Sequence, residues 1–313
     1  MVSNLMNFIG SSLSFMLPPL IVNEEAQSLE RVQEDIRYLL WVQFMLASMA
    51  LFLTVILYQP PPATCLQSAP RAPMPFVVEV LMILRCRDFW VVNMQFAVFV
   101  AIGHAFDAVE GSLLEHHGYR AAVSSWTAMS CTVGSIVSTF FESKLIQHAT
   151  LYRAALELSH LFTAMSLVLC FLTLRYHWHE GCFVVAIGIM GLASPGWGCS
   201  CELGSEVCFP AREATVGSLL EVFSNLTGVM SIVCTQTLID FGLGSRVLVM
   251  MAITASIAGL ALQSLSGRLL RTEAEAAEEL EIEMEEQDVA QGKGAEATRR
   301  RIEEGPFRKI VPY

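Results

Sequence analysis

Long uncharged apolar runs recur along this chain and restrict it to one class of fold. A helix needs roughly 20 apolar residues to cross the hydrocarbon core of a bilayer. Eight runs are of about that length: Val2–Val22, Tyr38–Tyr58, Phe89–Phe106, Ala121–Phe141, Ala154–Leu174, Gly181–Cys201, Ser218–Ile239 and Val247–Leu265. Only helices and closed barrels satisfy their backbone groups inside lipid, and apolar runs this long exclude barrel strands, which alternate. The chain reads as an all-α polytopic membrane protein whose first partner is the lipid bilayer. Composition agrees, with 54% hydrophobic and 16% charged residues in 313. A soluble domain carries about 25% charged residues.

The polar segments between the runs divide the chain. Two spans occupy residues 1–58, the first ending at Pro18 and Pro19. Residues 59–88 hold a Pro-rich linker, "QPPPATCLQSAPRAPMPF", and an amphipathic piece, "VVEVLMILRCRDF". Six further spans fill 89–265, and 266–313 form a charged tail. Lys and Arg favour the loops at 59–88 and 142–153, which puts both termini and the 202–213 connector in the cytoplasm. The first basic residue is Arg31, so the opening run lacks the basic start of a signal peptide. Met1 sits at the lip of a span, and the expectation is a chain that starts partway through a larger set of helices.

Several classes are excluded. The net charge is −11 and no basic face emerges, so nucleic acid is not an expected partner. Cys199, Cys201 and Cys208 lack the C-x₂-C spacing of a zinc site, and most of the nine cysteines lie in spans, where thiols pack as small apolar groups. No metal, cofactor or disulfide framework is expected. No nucleophile motif, metal-spaced His set or phosphate loop supports an enzyme.

Polar side chains inside lipid face a bundle interior or a watery cavity. Asn4, Asn7, Ser11 and Ser14 share a face of the first run. Ser124, Thr127, Cys131, Gly134 and Ser138 share one on the fourth, where close helix packing accounts for them. Glu221, Ser224, Asn225, Gly228, Ser231 and Thr235 share one on the seventh, where a Glu and an Asn exceed what packing needs. "GIMGLASPGWG" places Pro195 and Trp197 among glycines, giving either a broken transporter helix that exposes backbone to substrate or a merely kinked one. His104 and Asp107, three residues apart, are a base and its orienting partner in an enzyme, a proton relay in a transporter, or the lining of an outer mouth. Glu157 and His160 raise the same choice.

Arranged in this order, the segments resemble a known family. A half ending in "FMLPPLIV" and a second span, a Pro-rich linker, a six-span half, and the motif Glu202-Leu203, Glu206, Phe209-Pro210, Glu213 are similar to solute carrier family 49. This is a group of major facilitator transporters that includes the feline leukaemia virus subgroup C receptor proteins and the disrupted-in-renal-carcinoma type. "RCRDF" at 85–89 resembles the approach to the family's seventh helix, and "LLEVFSNLTG" resembles its eleventh. The resemblance covers about Asn4 to Leu265 and implies a major facilitator fold with eight of twelve helices present. It implies a secondary transporter, working by alternating access in the plasma or lysosomal membrane, for a small organic solute of the haem, choline/ethanolamine or pyridoxine-like class. Choline-transporting members line the pocket with an aromatic on the seventh helix and amides on the fifth and eleventh. Phe96 matches the aromatic and Asn225 an amide, whereas the fifth-helix position reads Phe8. Pro195 and Trp197 are expected to form one wall.

The connector "CELGSEVCFPAREATVG" then becomes the cytoplasmic turn between the family's tenth and eleventh helices. Glu202, Glu206, Arg212 and Glu213 are expected to pair across the two halves as a gate, with His104, Asp107 and Glu221 available for gating or proton coupling. The alternatives are a truncated, non-transporting isoform or incomplete gene model, and an integral membrane enzyme. Because the stripe Asn4-Asn7-Ser11-Ser14 would lack partner helices, the 313-residue chain alone is expected to be poorly stable and inactive.

Overall fold

The structure, a computed structural model, describes residues 29–57, 74–120, 122–145, 149–267 and 269–274, with isolated positions at 10, 21, 276, 277 and 280. The first apolar run, the Pro-rich linker and most of the tail lie outside the described residues. The chain forms two compact units, Met1–Ser266 and Gly267–Tyr313. In the second, a short helical stretch begins near Leu270.

All regular structure described in the first unit is helical. In chain order the helices are α1 (Leu29–Leu57), α2 (Phe76–Arg85), α3 (Arg87–His116), α4 (Ala122–Leu145), α5 (Tyr152–Tyr176), α6 (Glu180–Gly191), α7 (Pro195–Val207), α8 (Glu213–Asp240) and α9 (Arg246–Ala261). Six helical stretches are long and apolar enough to cross a membrane: α1, α3, α5 with the turn before it, α6 together with α7, α8, and α9 with the turn after it. This is an all-α polytopic membrane protein. The exposed side chains fit lipid, since Val222, Val229, Val233, Ile253 and Ile257 all point outward. In water such a patch would be a liability. The apolar stretch of α1 has no buried residue.

α4 is too rich in hydroxyls to meet the same hydropathy measure, yet it must traverse. At the far end of α3, the Tyr119 hydroxyl donates to the carbonyls of Thr173 and Trp178 at the end of α5 (3.3 and 2.8 Å). α5 therefore starts on the linker side, and α4 is what returns the chain there. Its small residues allow close packing, as its sequence pattern indicates. α4 lies along α6, and a Cβ on Gly134 would stand 2.2 Å from the Gly188 carbonyl oxygen, one on Gly191 2.1 Å from that of Cys131. α3 packs along α8, and α5 along α9 and α6. Phe106, Leu113, Leu167, Phe183, Leu248 and Ala255 belong to the apolar core near the far end.

The span shared by α6 and α7 is interrupted but not unwound. Pro195 has no N–H, so the Gly191 carbonyl loses its normal helical donor. The chain tightens instead, with amides of Ser194 and Gly196 reaching back three residues to Gly191 and Ala193 (3.1 and 2.9 Å). The Gly191 carbonyl also accepts from Ser135 and Ser138 of α4 (3.2 and 3.4 Å), and Ser138 in turn meets the Ser194 hydroxyl at 2.5 Å. A tightened joint braced from the neighbouring helix is the outcome of the Pro and Gly pattern.

Gly134→Ala forces two backbones apart and should lower stability by about 1–3 kcal/mol, the range for overpacked sites. Gly111→Ala meets nothing within 4 Å and should be neutral or slightly stabilising, since Ala favours helix. Thermal unfolding in detergent compares them, and equal melting temperatures would overturn the close-packing account.

Candidate functional site

Polar groups in the spans fall into two sets, one enclosed and one facing outward. In the enclosed set, the Gln95 amide donates to the Ser200 hydroxyl (2.9 Å) and its carbonyl oxygen meets His160 Nε2 (3.0 Å). This joins α3, α5 and α7 through side chains that are 1–2% exposed. His160 Nδ1 and Asn93 Oδ1 are buried without a hydrogen-bond partner among the described residues. His160 therefore belongs to this network, while Glu157 turns away to Arg153 (3.0 Å). The sequence reading paired His160 with Glu157 and passed over Gln95 and Ser200, because their meeting depends on three helices converging.

The outward set lies on α3, α7 and α8. Phe96 is fully enclosed, and the ring of Trp197 stands edge-on to it with centroids 5.2 Å apart. Trp197 itself is 42% exposed, so the aromatic surface offered outward at this level is the tryptophan's. Phe96, Trp197 and Glu221 all lie about two to three turns from the linker-side ends of their helices. Asn225, one turn beyond Glu221 on the same face, is exposed and donates to the Glu221 carbonyl oxygen (2.7 Å). The structure thus puts Asn225 and Trp197 on exposed surface, whereas Phe96 backs the tryptophan from inside. Pro195, the first residue of α7, is buried.

His104 and Asp107 are nearer the middle of a span than the sequence places them, because α3 continues past them to His116. His104 lies against Gly228 of α8, where a Cβ would come within 3.0 Å of its ring. It is within electrostatic reach of both Asp107 and Glu221. One turn beyond Asp107, Glu110 is buried, accepts from the Thr127 hydroxyl of α4, and feels the charge of Asp107. Glu110 went unnoticed in the sequence, although it continues the three-residue spacing of His104 and Asp107. No Lys or Arg forms an ion pair with Asp107, Glu110 or Glu221 among the described residues. Carboxylates at mid-span are costly and mark functional positions; insertion scales put an Asp at a helix centre near 3 kcal/mol.

At the linker side, Arg212 pairs with a residue the sequence reading did not single out. Arg212 Nε and Nη2 both donate to Glu79 Oε2 (2.9 and 2.6 Å), and the Arg212 backbone N–H donates to Oε1. Glu79 belongs to α2 and is 1% exposed, while Phe76, Val77, Val78 and Leu81 of the same helix face outward. The helix is inverted by aqueous standards, with its carboxylate inside and its apolar face out, as suits the interface of a bilayer. Arg212 is the residue that starts α8, so Glu79 also places a negative charge at that helix's N-terminus. Glu206 is buried in the last turn of α7, Glu202 half-buried one turn earlier, and Glu213 exposed in the first turn of α8. Arg212 of the connector thus pairs with α2. Phe8 lies outside the described residues.

On the far side, His177 closes α5 in a left-handed conformation and His179 caps α6, accepting from the Gly181 amide at 3.0 Å. Arg120 forks onto Glu180 in the open (3.1 and 2.9 Å). Among the described residues no three His, Cys, Asp or Glu side chains gather as a metal site would require.

Compared with known proteins, the chain matches no family model. It is similar to the choline/ethanolamine transporter flvcr2b of Danio rerio, with 22% identity over 243 residues, which is 75% of this chain and 50% of that protein. The chain spans about half the length of this curated relative.

The Arg212 guanidinium, then its backbone amide and the Thr215 hydroxyl, hold the Glu79 carboxyl below its ordinary 4.5 against the opposing effect of burial. A carboxyl lowered by folding stabilises fully above its unfolded value and loses that contribution as pH falls through the folded one. Glu79→Gln should therefore melt below wild type at pH 7, with the gap closing as pH drops beneath about 4.5. Melting curves in detergent from pH 7 to 3 test this, and a gap unchanged across the range would refute the ion pair's role.

Proposed function

We propose that the chain serves a major facilitator transporter of the solute carrier 49 type, carrying a small organic ammonium ion of the choline and ethanolamine class by alternating access. The observation that carries this reading is the outward polar strip of α3, α7 and α8: Asp107 and Glu221 with no Lys or Arg ion pair among the described residues, Asn225 beside Glu221, and Trp197 presenting an aromatic face. An ammonium ion brings the missing positive charge to such a strip. A quaternary head makes cation–π contact with the indole, worth about 0.5–2 kcal/mol. A primary ammonium donates hydrogen bonds to the carboxylates instead. The relative named as a choline/ethanolamine transporter supports the same class.

Within this reading Phe96 sets the orientation of Trp197 from behind, and Pro195 shapes the turn that carries it. His104, between Asp107 and Glu221, is the group through which a proton would alter the charge of the strip. Arg212, with Glu202, Glu206 and Glu213 around it, works at the linker-side gate, and its hold on Glu79 couples α2 to that gate. The first apolar run, including Phe8, would contribute from the opposite half, and the membrane is the plasma or lysosomal one.

Binding of choline and ethanolamine to the purified chain, read from tryptophan fluorescence, tests the proposal. Asp107→Asn and Glu221→Gln are each expected to weaken binding about tenfold, the equivalent of roughly 1.4 kcal/mol. Trp197→Ala should weaken choline by about 2- to 30-fold, matching the cation–π range, and ethanolamine less. The neutral isostere 3,3-dimethyl-1-butanol should compete poorly. If it competes as well as choline, or if the double carboxylate variant binds normally, the ammonium reading is wrong.

A further inference from the structure

Two cysteines meet at the joint between the linker-side helix and the bundle. Cys86 is the one residue separating α2 from α3, and it occupies the cap position of a 30-residue helix. Its side chain makes no cap hydrogen bond to the first amides of that helix. Arg85 and Arg87 flank it, and it is part-exposed. Cys208, buried, caps the end of α7 in the connector that leads to Arg212. The Cys86 thiol reaches the Val207 carbonyl oxygen at 3.5 Å, and the two thiols are within hydrogen-bond reach of each other.

Both surroundings act on the same sulfur. The Cys208 thiol beside it is the main influence that pulls the Cys86 thiol down to about 6 against burial and the nearby Asp88 charge. The same bond, with burial, pushes Cys208 up. A part-exposed thiol beside a second, buried thiol is the arrangement that oxidant-sensing cysteines share. The other exposed cysteines, Cys182 and Cys234, lie away from this joint on α6 and α8.

We propose that Cys86 and Cys208 form a peroxide-oxidisable thiol pair, with Cys86 the attacking sulfur and Cys208 the resolving one. This does not depend on the transport reading. The Cys86 thiolate attacks one oxygen of hydrogen peroxide or an alkyl hydroperoxide. The O–O bond breaks, hydroxide or alkoxide leaves, and a sulfenic acid forms. The Cys208 thiol then attacks that sulfur, the S–O bond breaks, water leaves, and a disulfide closes. The two sulfurs together give up two electrons, which reduce the peroxide, and a dithiol reverses the step. The disulfide would fasten the α2–α3 joint to the α7–α8 connector, the same two parts that Glu79 and Arg212 hold by charge.

The purified full chain in detergent is treated with hydrogen peroxide and analysed by peptide mass spectrometry. A peptide joining Cys86 to Cys208, two hydrogens lighter than its parts and lost on adding dithiothreitol, is expected. In Cys208→Ser, dimedone should trap a sulfenic acid at Cys86, while in Cys86→Ser the thiol at 208 should stay reduced. At pH 7 maleimide should label Cys86 in the wild type roughly tenfold faster than Cys182. The proposal is overturned if no joined peptide forms in the wild type, or if Cys86 reacts no faster than Cys182.

Discussion

In lipid there is no water to answer a polar group, so each must find its partner within the protein. That constraint explains most of what the structure does with its unusual residues. The carbonyl that Pro195 leaves without a donor is taken by two serines of the neighbouring helix. Gln95, His160 and Ser200 satisfy one another across three helices. Glu110 is met by Thr127, and Glu79, turned inward at the membrane edge, is met by Arg212. Set against these, the carboxylates of Asp107 and Glu221 form no ion pair with Arg or Lys among the described residues, and His104 is the group whose charge reaches both.

Close helix approach is the means by which those partners are reached. Gly134 and Gly191 bring α4 and α6 so near that a single added carbon would strike a carbonyl oxygen, and at Gly188 it would strike the Ser130 hydroxyl. Only at that separation can hydroxyls on α4 reach the backbone of the other helix. The same is true at Gly228, whose missing side chain makes room for the His104 ring between α3 and α8. Small residues and polar side chains are thus complementary halves of one packing scheme, which is why they recur together along the spans.

Much of the fold could be read from the sequence, because hydropathy and length act over whole helices. The all-helical membrane class, the interruption near Pro195 and the small-residue face of α4 were all legible. What escaped depends on which helix lies beside which. Glu79 reads as one charge in an amphipathic piece until α2 is placed against the start of α8, and Gln95 reads as an isolated amide until α5 and α7 converge on it. Phe96 is a case of the same kind: its residue type marks an aromatic at that level of α3, but only the rotation of the helix shows that its ring is enclosed and that Trp197 on α7 carries the exposed one. Periodicity assigns residues to a common face without saying where that face points.

The tightened joint at 192–194 has a mechanical consequence. An amide donor in a regular helix is fixed by the backbone, so bending the helix stretches its bond. The Gly191 carbonyl is held in part by hydroxyls of Ser135 and Ser138, which swing about single bonds and can follow the oxygen through a change of angle. The span is therefore compliant at one point and stiff on either side of it. A torque applied to α7 through Trp197 would be spent as rotation about that point before it reached α6, which the glycine contacts hold fast to α4.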